Sequence, residues 1–308
     1  MIDNGLLMYY PKYADEFGRL KFSSLKRLDE KKVDGFLNNN FVAKSRLKKG
    51  FIFHKDTPFY YEKLYGSLNL LDRTRAEDKV DMEVLLSQIY ANVGLDTAIY
   101  LPTINRNRVG VVSNNIVAPQ VCTYFEFVSI MKKSNPNFKP NYDMFRKFKT
   151  KELMLESYFQ KKPLEDFVLM HALDCACGNI DRHANNFFVS YERNENGVPV
   201  INGIKLFDYG DSETYINEES SRPDNIYSFC NGLGGPVKLS RPKLVDELKN
   251  NEFVNNIYTP VQLAKKIGEV DVFKTAEDVY QTTNYEIDST LLDKLALCID
   301  DTAEQLIK

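Results

Sequence analysis

Asp181 and Asn186 stand five positions apart in the run Gly178-Asn179-Ile180-Asp181-Arg182-His183-Ala184-Asn185-Asn186-Phe187. A second acid follows in Leu206-Phe207-Asp208-Tyr209-Gly210. Residues of these types in this order suit phosphoryl transfer from ATP. One carboxylate receives the proton of an acceptor hydroxyl, an amide oxygen holds a magnesium ion, and a second carboxylate holds the metal that bridges the phosphates. Asp181 is therefore the candidate base, and Asn186 and Asp208 are candidate metal ligands. Each piece alone is ordinary: Asx-rich loops bond their own backbone, and Asp-x-Gly is a common turn. The ordered combination carries the reading.

The neighbours of these residues leave alternatives open. His183 is a candidate catalytic group, or a ring that holds the loop by hydrogen bonds. Arg182 pairs with either an acidic side chain or a phosphate. Asp211, beyond the glycine, is a weaker ligand than Asp208. His54 and His171 have no partner at ligand spacing.

These residues need elements to position them. Leu164–Cys177 is apolar around most of a helical circumference, Pro163 suits its first turn, and Gly178 ends it. The loop that follows carries Asp181. Asn186–Tyr191 and Ile201–Phe207 read as a strand pair around the turn Glu195-Asn196-Gly197, ending at Asp208. Earlier in the chain, Gly50–His54 and Phe59–Leu64 bracket a Lys-Asp-Thr-Pro turn and predict a hairpin. Residues 80–94 have helical spacing, with Met82, Leu85, Leu86, Ile89 and Val93 on one face and Gly94 as the stop. Arg108–Val112 and Val121–Phe127 are expected as further strands. Pro242–Lys249, Pro260–Ile267 and Ser289–Ile307 are amphipathic helices.

A nucleotide also needs a cation for its phosphates and an acid to hold that cation. Lys63 lies in a predicted strand and Glu83 in what reads as the first turn of the next helix; Lys55, in the hairpin turn, competes with Lys63. Ala43–Gly50, which contains Ser45, is either a phosphate-covering loop or a solvated basic turn, since no Gly-x-Gly-x-x-Gly is present. Glu126 and Phe127, where strand character gives way to helix, are further cofactor-binding candidates. Gly232-Leu233-Gly234-Gly235 lies too late for the phosphates and suits a loop near the acceptor.

Composition narrows the class. Hydrophobic residues are 43% and charged residues 27% of the 308, so the chain can bury a core. A formal net charge of -3 gives no basic footprint for nucleic acid and no polybasic membrane signal. No apolar run reaches membrane-spanning length, and the first residues do not read as a signal peptide. The five scattered cysteines suggest no disulfide framework, and Cys175-x-Cys177 has no second ligand pair for zinc. A reducing cytoplasm is the expected setting.

Gly178-Asn179-x-Asp181-x-His183-Ala184-x-Asn186-Phe187 resembles the catalytic loop of the HipA-like serine/threonine kinases, the toxin components of bacterial toxin–antitoxin pairs. The helix around Glu83, running into Asn92-Val93-Gly94-Leu95, is also similar. The resemblance spans about residues 40–240 and is concentrated at 178–210. It implies a two-lobed α+β protein-kinase-like fold, with an extension over 1–35, a small β-rich N-lobe over 36–127 and a larger helical C-lobe over 128–308. It implies ATP and magnesium as cofactors, Asp181 as base, and Asn186 and Asp208 as metal ligands. A protein substrate, a translation-related one included, and an antitoxin partner come with it, in a bacterial cytoplasm or after export to a host cell. Asn185 stands where the family often carries lysine, and the chain is shorter than full-length members. Two other readings stay open: a nucleotide-sensing pseudokinase, and a phosphoinositide-type lipid kinase, which shares Asp-Arg-His-x-x-Asn.

Overall fold

The computed structural model describes residues 16–21, 26–27, 48–53, 60–67, 73–105, 108–114, 120–134, 158–182, 185–210, 212, 226–229 and 237–308. The chain divides into two compact units. The first takes the described residues of 1–91, 98–117 and 272–292; the second takes those of 92–97, 118–271 and 293–308.

A six-stranded sheet dominates the first unit. Its strands are β1 (Leu20–Lys21), β2 (Lys26–Arg27), β3 (Lys48–Phe53), β4 (Tyr60–Ser67), β5 (Tyr100–Asn105) and β6 (Arg108–Asn114), in the spatial order β1-β5-β6-β4-β3-β2. All neighbours are antiparallel except β1 and β5. The expected hairpin is β3–β4. Strand β5 was not anticipated from the sequence, and neither were the short β1 and β2. Two-residue strands carry no periodicity, so their pairing is set by the sheet they join.

Helix α1 (Arg73–Asn92) begins a full two turns before the expected start, which places Glu83 near its middle rather than in its first turn. Every residue from Val80 to Tyr90 is buried, so the one-sided apolar face expected for this helix is corrected. Its buried Asp81, Glu83 and Ser87 each find an internal partner. The Ser87 hydroxyl accepts from the Tyr100 amide at 3.1 Å, and Asp81 accepts from the Tyr285 hydroxyl at 2.5 Å and the Asp288 amide at 3.0 Å.

In the second unit, β7 (Val121–Thr123) leads directly into α2 (Tyr124–Ser134). The strand expected over Val121–Phe127 therefore stops at Thr123. The Thr123 hydroxyl accepts from the Glu126 amide while the Glu126 carboxylate accepts from the Thr123 amide, a reciprocal capping box that starts the helix. Next come α3 (Lys161–Ala176), the antiparallel strands β8 (Phe187–Arg193) and β9 (Pro199–Leu206), and the pair β10 (Ile226–Phe229) and β11 (Val237–Ser240). β7, β8 and β9 form one sheet. An aromatic core of Tyr124, Phe159, Phe167 and Phe187, with ring centroids 5.3–6.4 Å apart, joins that sheet to α2 and α3.

Helices α4 (Arg241–Asn250), α5 (Glu252–Ile257) and α6 (Pro260–Gly268) pack against α3. Thr259 and Gln262 close a second capping box at the start of α6. Helix α7 (Val272–Thr283) returns to the first unit, and α8 (Ser289–Ile307) ends the chain. The architecture is α+β: a smaller β-rich part precedes a larger helical one.

Candidate functional site

The Asp181, Asn186 and Asp208 segment, within the second unit, is built from the end of α3. Gly178 adopts φ 69, and the Asn179 amide donates to the Asp174 carbonyl at 2.9 Å, so the helix closes with a left-handed glycine and a six-residue backbone bond. This turn delivers Asn179, whose side-chain amide donates to Asp174 at 2.9 Å and whose oxygen accepts from the Asp181 amide at 3.3 Å. The short segment bearing Asp181 is thereby tied to the helix it leaves.

Arg182 supplies the rest of the frame. Its Nε and Nη2 donate to the two carboxylate oxygens of Asp174 at 3.0 and 3.1 Å, a bidentate buried ion pair. Its Nη1 donates to the carbonyls of Asn186 at 2.6 Å and Phe207 at 2.7 Å. One guanidinium thus binds the helix, the start of β8 and the residue before Asp208. With 1% of its surface exposed, Arg182 answers to an acid and not to a phosphate. The guanidinium also lies 5.2 Å from the Tyr209 ring, whose hydroxyl meets Thr97 at 2.5 Å.

Asn186 donates its side-chain amide to the Asp181 carbonyl at 2.7 Å and to the Asp181 carboxylate at 3.1 Å. Those bonds aim the amide nitrogen at Asp181 and turn the carbonyl oxygen the other way. In the β8–β9 register Phe187 faces Leu206, so Asn186 and Asp208 leave the hairpin at the same end. Asp208 has φ 65, a left-handed conformation that costs a non-glycine residue about 1 kcal/mol, and such strain gathers at functional positions.

Asp174, Asn179, Thr97 and Tyr209 escaped sequence reasoning. Asp174 did leave a signal: it is the one acid in the continuously buried stretch 167–177, which requires a cationic partner. His171, by contrast, is an ordinary core ring. It lies edge-on to Phe167, and burial together with the Arg182 charge lowers it to about 3, so it stays neutral. His183 and Ser45 lie outside the described residues, as do His54, Lys55, Asp211 and Gly232–Gly235.

In the first unit, Lys63 on β4 and Glu83 on α1 form a buried ion pair at 2.6 Å, with exposures of 3% and 0%. The hydroxyl of Tyr65 donates to the same Glu83 oxygen. Glu126 and Phe127 sit elsewhere than expected. The Glu126 carboxylate caps α2, and Phe127 is buried against Tyr124 and Tyr191. Both lie in α2 rather than in a strand, because the capping box turns the chain helical before it reaches them.

Among the described residues no group of three or more His, Cys, Asp or Glu side chains is placed to hold a metal alone. The amide and carboxylate oxygens of Asn186 and Asp208 are nevertheless the hard donors magnesium takes, its remaining ligands coming from phosphates and water. Among the described residues no helix is long and apolar enough to cross a membrane.

No protein-family model and no curated protein sequence matches the chain. Solved structures do. The chain is similar to the proinflammatory kinase CtkA of Helicobacter pylori at 14% identity, over 93% of this chain and 95% of that one, with a TM-score of 0.58. The fold is protein-kinase-like. At such identity the likeness reaches no further than the fold. The chain also aligns with HipA of Shewanella oneidensis, solved with HipB and operator DNA, at 9% identity over 97% of this chain and 77% of that one (TM-score 0.43). Rio2 kinase of Chaetomium thermophilum aligns at 7% identity over 92% and 73% (TM-score 0.38). Scores that low carry no argument.

Proposed function

We propose that this chain is an ATP- and magnesium-dependent serine/threonine protein kinase of the HipA-like kind. The observation that carries the reading is the Arg182 clamp. It binds Asp174, Asn186 and the residue before Asp208 together, and Asn186 in turn bonds Asp181. A buried frame of this kind around three oxygen-bearing side chains suits chemistry in which the protein positions and neutralises more than it reacts.

In this reading Asp181 takes the proton of the acceptor hydroxyl as that oxygen bonds the γ-phosphorus, the β–γ bridging bond breaks, and ADP leaves. Asn186 and Asp208 would hold magnesium, which neutralises charge on the phosphates. Lys63, fixed by Glu83, would contact the phosphates. The HipA-like assignment rests on the Gly178–Phe187 motif. With it come a protein substrate, a translation-related one included, an antitoxin partner, a bacterial cytoplasmic setting and autophosphorylation, for which Ser45 is the candidate. The Helicobacter protein's designation as a kinase is in keeping with this.

The test uses purified chain, radiolabelled ATP and magnesium, with and without a bacterial lysate. The parent should label itself or a lysate protein, and Asp181→Asn and Asp208→Gly should lower the rate at least about a hundredfold. Glycine adopts φ 65 freely, so loss in Asp208→Gly reports the carboxylate rather than the turn. Labelling by either variant at the parental rate would sink the assignment. Stabilisation by nucleotide without transfer would point to a nucleotide-sensing pseudokinase.

A further inference from the structure

Strand β4 carries an irregularity beside its lysine. Against β6 the register runs Leu64 to Gly110 and then Gly66 to Val109, so Tyr65 is an extra residue without an opposite number. Bulges re-aim side chains and gather next to functional sites. Here the side chain concerned reaches the Lys63–Glu83 pair. Its hydroxyl donates to Glu83 Oε1, the oxygen that Lys63 Nζ meets at 2.6 Å. The Lys63 ammonium lies 4.9 Å from the centre of the Tyr65 ring, and the Lys79 ammonium, one helical turn before Glu83, lies 5.9 Å from it.

A carboxylate with no exposed surface needs more than one donor to offset its lost hydration. The phenol adds a donor without adding charge, and its ring offers a face to both ammonium groups. We propose that Tyr65 is a positioning residue for nucleotide binding: its hydroxyl fixes the Glu83 carboxylate, and through it the direction in which Lys63 is presented. The inference rests on the kinase reading, since it assigns Lys63 to the phosphates. Tyr65 touches no substrate in this scheme; it acts through Glu83.

The test measures magnesium–ATP binding by calorimetry on the full chain, with thermal unfolding alongside, for Tyr65→Phe, Glu83→Gln, the double variant and Lys63→Ala. Tyr65→Phe keeps the ring and its packing and removes only the hydroxyl. It should weaken binding about three- to tenfold, part of what a hydrogen bond to a charged group contributes, and leave turnover at saturating ATP near the parental rate. In the Glu83→Gln background the same change should add nothing, because the two residues act as one unit. Unchanged or tighter binding by Tyr65→Phe, in a parent that Lys63→Ala weakens, overturns the role of Tyr65 and leaves the kinase reading standing. An undiminished effect in the Glu83→Gln background also overturns it, since Tyr65 would then act without Glu83. A parent that binds no magnesium–ATP removes the kinase reading and this inference together.

Discussion

At the scale of single residues, Arg182 decides whether the loop chemistry has a frame. Its guanidinium is one of the largest fully buried side chains and meets Asp174 twice and two carbonyls once each. Burying such a charge is costly unless it is paired, so removing one partner strands the other. Arg182→Gln should lower the stability of the second unit by about 3–5 kcal/mol, read by denaturant unfolding. The double variant Arg182→Gln/Asp174→Asn should cost less than the sum of the two single changes. Additive losses would mean that the two residues do not form one unit. Asp181, Asn186 and Asp208 could be picked out of the sequence because their spacing is local. Asp174 could not be placed, because its role exists only once Arg182 folds back against α3.

At the scale of elements, the approach of β6 to β4 sets what the lysine strand can tolerate. A Cβ at Gly110 would lie 2.1 Å from the Lys63 carbonyl and 2.8 Å from the Leu64 Cα, both backbone atoms that cannot step aside. Gly110→Ala should force the strands apart beside the bulge, costing about 1–3 kcal/mol and weakening magnesium–ATP binding. Gly268→Ala, where a Cβ meets nothing within 4 Å, should leave both nearly unchanged. Equal behaviour of the two variants in melting and calorimetry would contradict this account of the sheet. The elements also show which local signals lead and mislead. The Thr123-x-x-Glu126 spacing is masked by the aromatic β-propensity of Tyr124, Phe125 and Phe127, yet Thr123 and Glu126 are in capping-box register and the helix wins. In α1, acids and a serine among the apolar residues imitate an exposed face, but Asp81, Glu83 and Ser87 each find an internal partner.

At the scale of the whole molecule, the two units should respond oppositely to pH. Burial raises the Asp81 carboxyl in the first unit from 3.8 to about 7, against the lowering pull of its bonds from Tyr285 and Asp288. A raised carboxylate holds its proton more tightly when folded, so its contribution is full below pH 3.8 and is lost as pH climbs through 7. Burial, then Arg182, lowers His171 in the second unit from 6.5 to about 3. Its contribution is full above pH 6.5 and is lost as pH falls towards 3. Between pH 7 and pH 5 the Asp81 region should gain protection and the His171 region should lose it, which amide hydrogen exchange would resolve. Asp81→Asn, an imitation of the protonated acid, should gain on the parent at pH 7 more than at pH 5. His171→Leu should gain more at pH 5. Shifts of the opposite sign would refute these assignments.

The sequence by itself determined the order of chemistry-bearing residues, the end of α3 at Gly178, the β8–β9 hairpin and the α+β class. Each follows from rules that act within a few residues: helical period, strand alternation, left-handed glycine and turn chemistry. Only the tertiary structure decided who satisfies each buried charge. Asp174 answers Arg182, Tyr65 joins Lys63 at Glu83, and Asp81 meets Tyr285 from 204 positions away. Desolvation makes those partners obligatory, but it acts through space rather than along the chain, so spacing in sequence could not name them.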